Sequence, residues 1–305
     1  MKSKQKTPLS FSSISALQTA LGLPKPLHPL VSLVNYSDIK LPDEEIPKLL
    51  VLDFYKISFK FNFAGKIKYG QGYYDFAEGG LCFYSPHQVI SSAEDGIDYS
   101  GYTLLFHPDF IRHSPIGGKI KNYGFFNYDA NEGLYVSDKE KRTLISVFEN
   151  IKDELSNSID EFSQEVLVSH IEVLLNLSSR FYKRQFITRR TVNNDLLIKM
   201  EKLLNNYFDN ADALQNGLPT VEYIASQLHV SPRYLSDMLR SFTGQNAQQH
   251  IHEKLIEKAK TYLTATQLSV SEIAYQLGFE HSQSFNKLFK KKTNVTPIEY
   301  KKSLN

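Results

Sequence analysis

A short pattern of apolar and small residues occurs twice near the C-terminus of this chain and constrains its fold more than any other feature. The first copy consists of Ile224, Ala225 and Leu228, and the second, 49 residues later, of Ile273, Ala274 and Leu277. A further stripe recurs at an offset of 50, with Leu235, Leu239 and Thr243 followed by Phe285, Phe289 and Thr293. The extra residue between the two stripes indicates a turn between two helices. The chain therefore encodes the same two-helix unit twice.

Local signals predict where the helices of the two units lie. The first helices are predicted to begin at Val221 and Val270. In the first unit, Ser231 is a natural N-cap of the second helix, and Pro232 follows it at the first helical position, where its missing N–H costs nothing. In the second unit, the second helix is predicted to run from about Ser282 to Lys292.

A helix predicted over residues 247–263 joins the two units. At the usual rise per residue it would span roughly 25 Å. With packing at both ends, it could hold the two units about one DNA turn, roughly 34 Å, apart on one face of a duplex. Two helix-turn-helix units in one chain could thus contact two neighbouring stretches of DNA without a dimer.

The exposed positions of the two second helices, the recognition helices, carry side chains that can recognise bases. They are Arg233, Ser236, Asp237 and Arg240 in the first unit, and Ser282, Gln283, Asn286, Lys287 and Lys290 in the second. Arg and Lys can donate to guanine, Asn and Gln can pair with adenine, and Asp can accept from cytosine. Lysines 290–292 are expected to contact phosphates and to give salt-dependent affinity. The alternative is that these residues only form the solvated faces of two helices.

Basic residues are concentrated in the C-terminal part of the chain. The whole chain has a formal net charge of +2. Residues 220–305 contain 11 Lys and Arg against 7 Asp and Glu, which leaves 24 against 26 for the remainder. A basic C-terminal part behind a mildly acidic body is typical of a DNA-binding module joined to another domain.

Cysteine content and hydropathy limit the class of protein. Cys82 is the only cysteine, so an intrachain disulfide and a thiolate metal cluster are excluded. Residues 1–10 contain lysines but no apolar run after them, so no signal peptide is expected. No stretch approaches the roughly 18 apolar residues of a membrane span. These features predict a cytoplasmic protein without a membrane partner, and no motif predicts a cofactor.

The front half is predicted to be rich in β-strands. Short runs of aromatic and β-branched residues, punctuated by glycines, extend over residues 45–135 and suggest an antiparallel barrel or sandwich. The first 45 residues contain prolines at positions 8, 24, 26, 29 and 42 and are predicted to be a partly ordered lead-in.

Helical spacing replaces the strand pattern from Ser137 onward. Two helices are predicted over about residues 137–183, and Ser137 with Glu140 forms a predicted capping box at the first. The polar residues 183–194 are predicted to be a linker, and a further helix over about 195–208 leads into the doubled units.

Taken together, the C-terminal residues resemble the AraC/XylS family of bacterial transcription regulators over about residues 195–303. The specific parts are Ile273-Ala274-x-x-Leu277-Gly278-Phe279, Gln283-Ser284-Phe285-Asn286-Lys287-x-Phe289-Lys290 and Thr296-Pro297-x-x-Tyr300. The resemblance implies a seven-helix DNA-binding domain over residues 195–305, with base contacts from the outward faces of the recognition helices. Asn294 stands where the family usually has Gly, and Asn tolerates the left-handed conformation. Asp237 stands where many members carry a basic or neutral residue, so the second unit is expected to supply more of the affinity.

The front half looks like the regulatory domain of the same family, a cupin-like β-barrel followed by dimerisation helices. The segments 104–110 and 180–190 are similar to members from the Bacteroidetes. The resemblance implies an α+β protein of two domains, in which residues 1–190 bind a small-molecule effector and form a homodimer. The helix faces with Leu167, Ile171, Leu174 and Leu175 are the predicted dimer interface. The alternative is that these residues only pack against their own barrel.

No arrangement of residues predicts catalysis or a metal site. His87 and His107 lack the His-x-His arrangement of a metal-binding cupin, and His250 and His252 would face different sides of the joining helix. His107 is close to Asp109 in sequence, which could suggest acid–base chemistry, but it is interpreted as a loop histidine.

The sequence therefore predicts a sequence-specific DNA-binding transcription regulator that is not an enzyme. Its expected partners are double-stranded promoter DNA, an unknown small-molecule effector and a second copy of the chain, with RNA polymerase as a further candidate. The effector would shift the populations of two arrangements of the DNA-binding domains. One alternative is a ligand-binding or enzymatic barrel tethered to DNA. Another is a regulator without an effector, controlled by its own abundance.

Overall fold

The chain divides into two compact units, Met1–Gln185 and Phe186–Asn305. The structure is a computed structural model that describes residues 8–42, 45–47, 49–61, 63–69, 72–76, 79–91, 100–210 and 212–303. The first unit combines β-sheets with helices, and the described residues of the second are helical. Each unit buries its own set of apolar side chains.

Strands of the first unit form three open sheets in the described residues. The strands are β1 Leu9–Phe11, β2 Val31–Asn35, β3 Leu49–Leu52, β4 Tyr55–Lys60, β5 Phe63–Tyr69, β6 Gly72–Phe76, β7 Gly80–Tyr84, β8 Val89–Ser91, β9 Gly101–Phe106 and β10 Leu134–Tyr135. One sheet has the order β10-β7-β4-β9-β2, another β1-β3-β8, and the third is the pair β5-β6. The β1-β3 pair is parallel and the other pairs are antiparallel.

The structure thus supports a β-rich region with helices, and the predicted barrel is not confirmed. In the five-stranded sheet, the outer strands β10 and β2 each pair on one side only, so the described strands do not close into a barrel. The short length of β10, two residues, limits further pairing at that edge.

The predicted lead-in is wrong for most of its length, because residues before position 45 contribute to two sheets. Strand β2 lies at the edge of the five-stranded sheet, where Leu33 pairs with Leu104 of β9. Strand β1 pairs with β3 through Ser10 and Val51. Proline marks the connections here, whereas the strands between them are free of it, which is why proline content alone misled the prediction.

The helices of the first unit cover the sheets and end in one long helix. They are α1 Ile14–Ala20, α2 Pro108–Ile111, α3 Pro115–Lys119, α4 Asp138–Ser156 and α5 Ser163–Thr188, the last of which extends past the unit boundary. Helix α4 begins with the predicted capping box, in which Ser137 and Glu140 each accept a hydrogen bond from the other's backbone N–H. This prediction is confirmed.

Helix α4 packs on one face of the five-stranded sheet. Phe59 of β4 and Tyr102 of β9 are cross-strand neighbours. Their rings stack on Phe148 of α4, at centroid distances of 5.5 Å and 5.6 Å. Such aromatic pairs add about 0.5–1.5 kcal/mol each to the stability gained by burial. This face of the sheet is therefore part of the core, and on the opposite face Leu105 of β9 joins a second apolar cluster with Leu50 and Leu52 of β3.

The predicted dimer interface is wrong. The four residues assigned to it, Leu167, Ile171, Leu174 and Leu175, are all buried in the single chain. Their side chains already contribute to the core, so they cannot cover a second copy without unpacking it. The helical period was correct, but the sequence could not tell whether the apolar stripe of α5 faced its own unit or a partner.

The predicted linker over residues 183–194 does contain the boundary between the two units, after Gln185, but most of it is helical. Helix α5 continues to Thr188, and the next helix begins at Arg190. The side chain of Asn193 donates to the carbonyl oxygen of Phe186 at 2.5 Å and is buried. A polar side chain therefore bonds the backbone across the helix break, within a segment that its composition indicated only as a linker.

Eight helices make up the described residues of the second unit. They are α6 Arg190–Asp209, α7 Asp212–Asn216, α8 Val221–Leu228, α9 Pro232–Thr243, α10 Ala247–Ala265, α11 Val270–Gln276, α12 Ser282–Thr293 and α13 Pro297–Lys302. The predicted starts of α8, α9, α10, α11 and α12 all agree with the observed ones. No helix in the described parts of the chain has the length and hydropathy needed to cross a membrane.

Candidate nucleic-acid interface

A small side chain at the centre of each two-helix unit allows its two helices to cross closely. Ala225 of α8 is fully buried, as are Leu235 and Leu239 of α9. Helix α9 begins as predicted, with Ser231 Oγ accepting from the backbone N–H of Tyr234 and Pro232 in the first turn. Helices α8 and α9 therefore form the first helix-turn-helix, with α9 as its recognition helix.

The second helix-turn-helix is built in the same way with larger side chains. Ala274 of α11 is fully buried, and the recognition helix α12 inserts Phe285 and Phe289 into the core. The ring of Phe289 lies 5.7 Å from that of Phe285 and 5.6 Å from that of Tyr300 on α13. These aromatic contacts fix α12 on its buried side, so its opposite face is held towards solvent.

The C-terminal ends of the two recognition helices have equivalent hydrogen bonds, at positions 50 residues apart. Thr243 Oγ1 donates to the carbonyl oxygen of Leu239 at 2.8 Å, and Thr293 Oγ1 donates to that of Phe289 at 2.8 Å. Each helix then ends in a left-handed residue, Gly244 or Asn294. The prediction that Asn294 keeps the left-handed turn is confirmed.

The repeat includes one more pair of equivalent helices, α10 and α13, than the apolar stripes indicate. Fifty residues separate the N-caps of α10 and α13, which are Asn246 and Thr296. Both head capping boxes, completed by Gln249 and Glu299. Bonds from Thr296 also hold the pKa of the Glu299 carboxyl below its ordinary value. The spacing of a small polar residue before Gln or Glu was visible in the sequence and would have revealed this extension.

The turns of the two helix-turn-helix motifs differ in whether they can accommodate a side chain. His229 and Gly278 both adopt positive φ, at 57° and 89°. A Cβ atom on Gly278 would lie 2.6 Å from the carbonyl carbon of Gly217, which is closer than real Cβ atoms approach. His229 is exposed, and its side chain is accommodated. Glycine is therefore required by packing in the second turn, whereas the first tolerates a side chain.

The predicted base-contact residues share the outward faces of α9 and α12. The most exposed are Arg233, Arg240, Gln283, Lys287 and Lys290, and those partly covered are Ser236, Asp237, Ser282 and Asn286. None is among the residues that are buried as a whole, but the side-chain oxygen of Asn286 is a buried atom. The faces therefore offer donors and acceptors at the spacing of one helical turn, which suits contacts with base edges in a major groove.

A salt bridge crosses the outward face of α9. Arg233 Nε donates to Asp237 Oδ2 at 2.8 Å, one helical turn apart. This contact uses one nitrogen of the guanidinium, and among the described residues the two terminal nitrogens have no acceptor. Asp237 therefore orients Arg233 while leaving it able to donate two parallel hydrogen bonds, the geometry that guanine recognition needs.

The outward face of α12 is more positive than that of α9. Its last turn carries Lys290, Lys291 and Lys292. Burial lowers the pKa of His252 on α10, and Lys292 and Lys291 lower it further. The lysine charges therefore act on a side chain of another helix, α10. A region of such positive charge is expected to attract phosphates.

The histidines of the joining helix α10 make structural contacts. His250 Nε2 lies 2.8 Å from Thr243 Oγ1, at the end of the first recognition helix. The ring of His252 instead accepts from the side-chain amide of Gln248 at 2.9 Å. The two rings have different partners, as their spacing predicted. Within the described residues, no group of three or more potential metal ligands occurs.

His107 also has a structural role. It is the N-cap of α2, where its Nδ1 accepts from the backbone N–H of Asp109 at 3.2 Å. The carboxylate of Asp109 pairs in turn with Arg112. This arrangement agrees with the interpretation of His107 as a loop histidine, because the nitrogen next to Asp109 is occupied by a helix cap.

Comparison with known proteins finds sequences similar to the two helix-turn-helix motifs. A family model described as a helix-turn-helix domain matches residues 224–303. The chain is 34% identical over 101 residues to an uncharacterised HTH-type transcriptional regulator of Pseudoalteromonas carrageenovora, covering 33% of this chain and 55% of that protein. It is 28% identical over 160 residues to the HTH-type transcriptional activator RhaS of Salmonella schwarzengrund, covering 52% of each. The chain thus spans about half the length of these curated relatives.

One of the similar solved structures covers the same region. It is the C-terminal domain of the two-component response regulator yesN from Fusobacterium nucleatum, with 33% identity and a TM-score of 0.29. The match covers 33% of this chain and 96% of that one.

Proposed function

Because residues 224–303 form an AraC-type helix-turn-helix domain, we propose that this protein is a transcription regulator that binds promoter DNA sequence-specifically through α9 and α12. The observation that carries the proposal is the presence of two outward faces, equivalent in position, on recognition helices whose opposite sides are buried. Such a pair can contact two neighbouring major-groove segments from one chain. The matching relatives that are named as transcriptional regulators support a protein without enzymatic activity.

The site residues are proposed in two groups. Base contacts are assigned to Arg233, Ser236 and Asp237 on α9, and to Ser282, Gln283, Asn286 and Lys287 on α12. Phosphate contacts are assigned to Lys290, with Arg240 at the equivalent position of α9. Base contacts specify a sequence, whereas phosphate contacts supply affinity for any duplex.

The test is binding of the purified protein to promoter fragments from around its own gene. Fluorescence anisotropy should give tighter binding to one of these fragments than to random duplex of the same length, at each of several salt concentrations. Both affinities should fall as salt rises, because lysine–phosphate contacts release counterions. Equal affinity for promoter and random DNA at every salt concentration would contradict sequence-specific regulation.

For the first unit we propose a cupin-like domain that binds a small-molecule effector. Its support is a five-stranded sheet with one face packed on α4 and the other carrying both polar side chains, such as Ser58 and Thr103, and apolar ones, such as Leu105. An effector can act on DNA binding only if it prefers one of two arrangements of the protein. The competing proposals are a tethered ligand-binding or enzymatic domain and a regulator controlled by its abundance.

Thermal-shift screening of the full chain separates these proposals. A compound that stabilises the protein and changes its promoter affinity supports effector control. Turnover of a compound would favour an enzymatic domain, and the absence of any stabilising compound would favour control by abundance.

A homodimer, a contact with RNA polymerase and a cytoplasmic location are further proposals. Because one chain carries two recognition helices, binding to a single operator does not require a dimer. Sedimentation velocity at micromolar concentration, with and without promoter DNA, measures the oligomeric state directly. A single monomeric species under both conditions would contradict the homodimer.

A further inference from the structure

Helix α1 carries a polar side chain at a position of its buried stripe. Ile14, Leu17 and Gln18 follow the spacing of one helix face, and all three are buried. Ile14 and Leu17 belong to an apolar cluster with Leu50 and Leu52 of β3. An apolar residue is therefore expected at position 18, and a glutamine there requires an explanation.

The side-chain amide of Gln18 makes no hydrogen bond to any described residue. Only 5% of the residue is exposed, and its side-chain oxygen is a buried atom without a partner. Burial of an amide without a partner costs free energy, so this residue lowers the stability of the fold. Its role is therefore to be sought in the space that it lines.

Gln18 lines a cavity of about 230 Å³ within the first unit. The walls come from α1, from residues 24–27, from β2 and from the last turns of α4. Most of the lining residues are apolar, namely Pro24, Pro26, Leu27, Val31, Leu33 and Leu155. The volume is below the range typical of sites for drug-sized molecules, so the cavity suits a small ligand with an apolar body.

The charged residues that line this cavity, among those described, are both cations. They are Lys25, in the segment after α1, and Lys152, on α4. Neither forms a salt bridge with a described residue. The buried Ser32 of β2 adds a hydroxyl to the same lining. Because two ammonium groups, a hydroxyl and the Gln18 amide can all donate hydrogen bonds, the cavity favours an anion.

A neighbouring cavity of about 320 Å³ has the opposite charge. The two cavities share Leu27 and Leu155, and the second is lined by the acidic residues Glu154, Asp160 and Glu161. No described acidic residue lines the first cavity. Charge is thus separated between adjacent cavities, and this arrangement directs an anion to the cavity at Gln18.

We propose that the cavity at Gln18 binds a small organic carboxylate with a short aliphatic body. The ammonium groups of Lys25 and Lys152 contact the carboxylate, and the apolar walls enclose the aliphatic part. The amide of Gln18 donates to the carboxylate, because it can turn about its last side-chain bond to present its N–H groups. This inference rests on the effector-controlled function proposed above, and it assigns a ligand class to that function.

The test is thermal unfolding of the full chain, at constant ionic strength, with about 10 mM sodium butyrate or sodium isovalerate. Butyramide and isovaleramide are the neutral controls, sodium phosphate tests for a general anion site, and sodium octanoate tests the size of the site. At least one short carboxylate should raise the Tm saturably, by more than about 3 °C, and none of the controls should match it.

The variant Gln18→Met separates a ligand contact from a structural role. Methionine is similar to glutamine in length and has no amide, so the variant should raise the Tm of the ligand-free protein and reduce the carboxylate effect. If Gln18 served only the fold, the variant would instead have a lower Tm and an unchanged carboxylate effect.

Lysine variants link the effect to the two charges. Lys25→Gln and Lys152→Gln should each reduce the Tm increase by more than half, and the double variant should abolish it. Lys139→Gln removes an exposed lysine from the same helix as Lys152 and should retain the full increase.

Three results would overturn the inference: no short carboxylate raises the Tm, one of the controls matches the short carboxylates, or the double lysine variant keeps the full increase. All variants should bind promoter DNA as the unchanged protein does without ligand. Failure of the unchanged protein to prefer promoter DNA would instead contradict the proposed function and leave the ligand assignment to the thermal data.

Discussion

Asp237 holds Arg233 in place on the first recognition helix, by a hydrogen bond of 2.8 Å from Arg233 Nε to Asp237 Oδ2. Fifty residues later, the equivalent positions of the second recognition helix are Gln283 and Lys287. The two helices therefore carry opposite charges at the same point of their outward faces. Because phosphates repel a carboxylate and attract an ammonium group, we expect α12 to supply more of the affinity and α9 to tune sequence choice.

Replacement of Asp237 tests this division. Asp237→Asn should tighten binding to random DNA, by an amount on the order of 1 kcal/mol, because it removes a negative charge from the interface. It should also reduce the preference for the promoter sequence, since Arg233 loses its orienting partner. Anisotropy with both duplexes gives the two quantities. Glu222→Gln removes the same charge from an exposed position of α8 and is the matched control; the same changes in this variant would show that only net charge matters.

Lys287 is expected to contact a base. Lys287→Ala should weaken promoter binding by about 1–3 kcal/mol and should have a smaller effect on random DNA, because it removes a contact that discriminates between bases. The measurement is the ratio of promoter to random affinity, followed by selection of preferred sequences from a randomised duplex. An unchanged ratio would exclude Lys287 from base recognition.

Lys290, one turn further along α12, is expected to contact a phosphate. Lys290→Ala should weaken promoter and random DNA equally and should reduce the slope of log affinity against log salt by about one. Salt titrations of both duplexes provide the test. If Lys287→Ala and Lys290→Ala behaved identically, the division of α12 into base and phosphate contacts would be incorrect.

The two turns should respond differently to substitution. Gly278→Ala should destabilise the protein by more than about 2 kcal/mol, because it adds the cost of a left-handed alanine to a clash with the backbone at Gly217. His229→Gly should change stability by less than about 1 kcal/mol, because the first turn already accommodates a side chain. Urea unfolding of the full chain compares them, and equal effects would mean that the close approach at Gly217 is not important.

Sequence patterns succeeded wherever a structural feature depended on residues close together in the chain. The capping box at Ser137, the N-cap at Ser231 and the left-handed Asn294 all follow from local backbone chemistry. The same local signals did not reveal that the linker at residues 183–194 is mostly helical, with the polar side chain of Asn193 buried against the backbone instead of being solvated. Composition could not reveal that contact, because it depends on how two helices meet.

The sequence by itself determined that this chain builds two helix-turn-helix units, since the period of the apolar residues and the repeated caps require them. It also identified which faces of α9 and α12 point outward, because the buried stripes fix the opposite sides. Only the tertiary structure decided that the apolar stripe of α5 belongs to its own core and that Phe148 of α4 stacks on Phe59 and Tyr102. Both outcomes depend on which distant segments pack together, and a one-dimensional pattern states that a side chain is apolar or charged without stating what it faces.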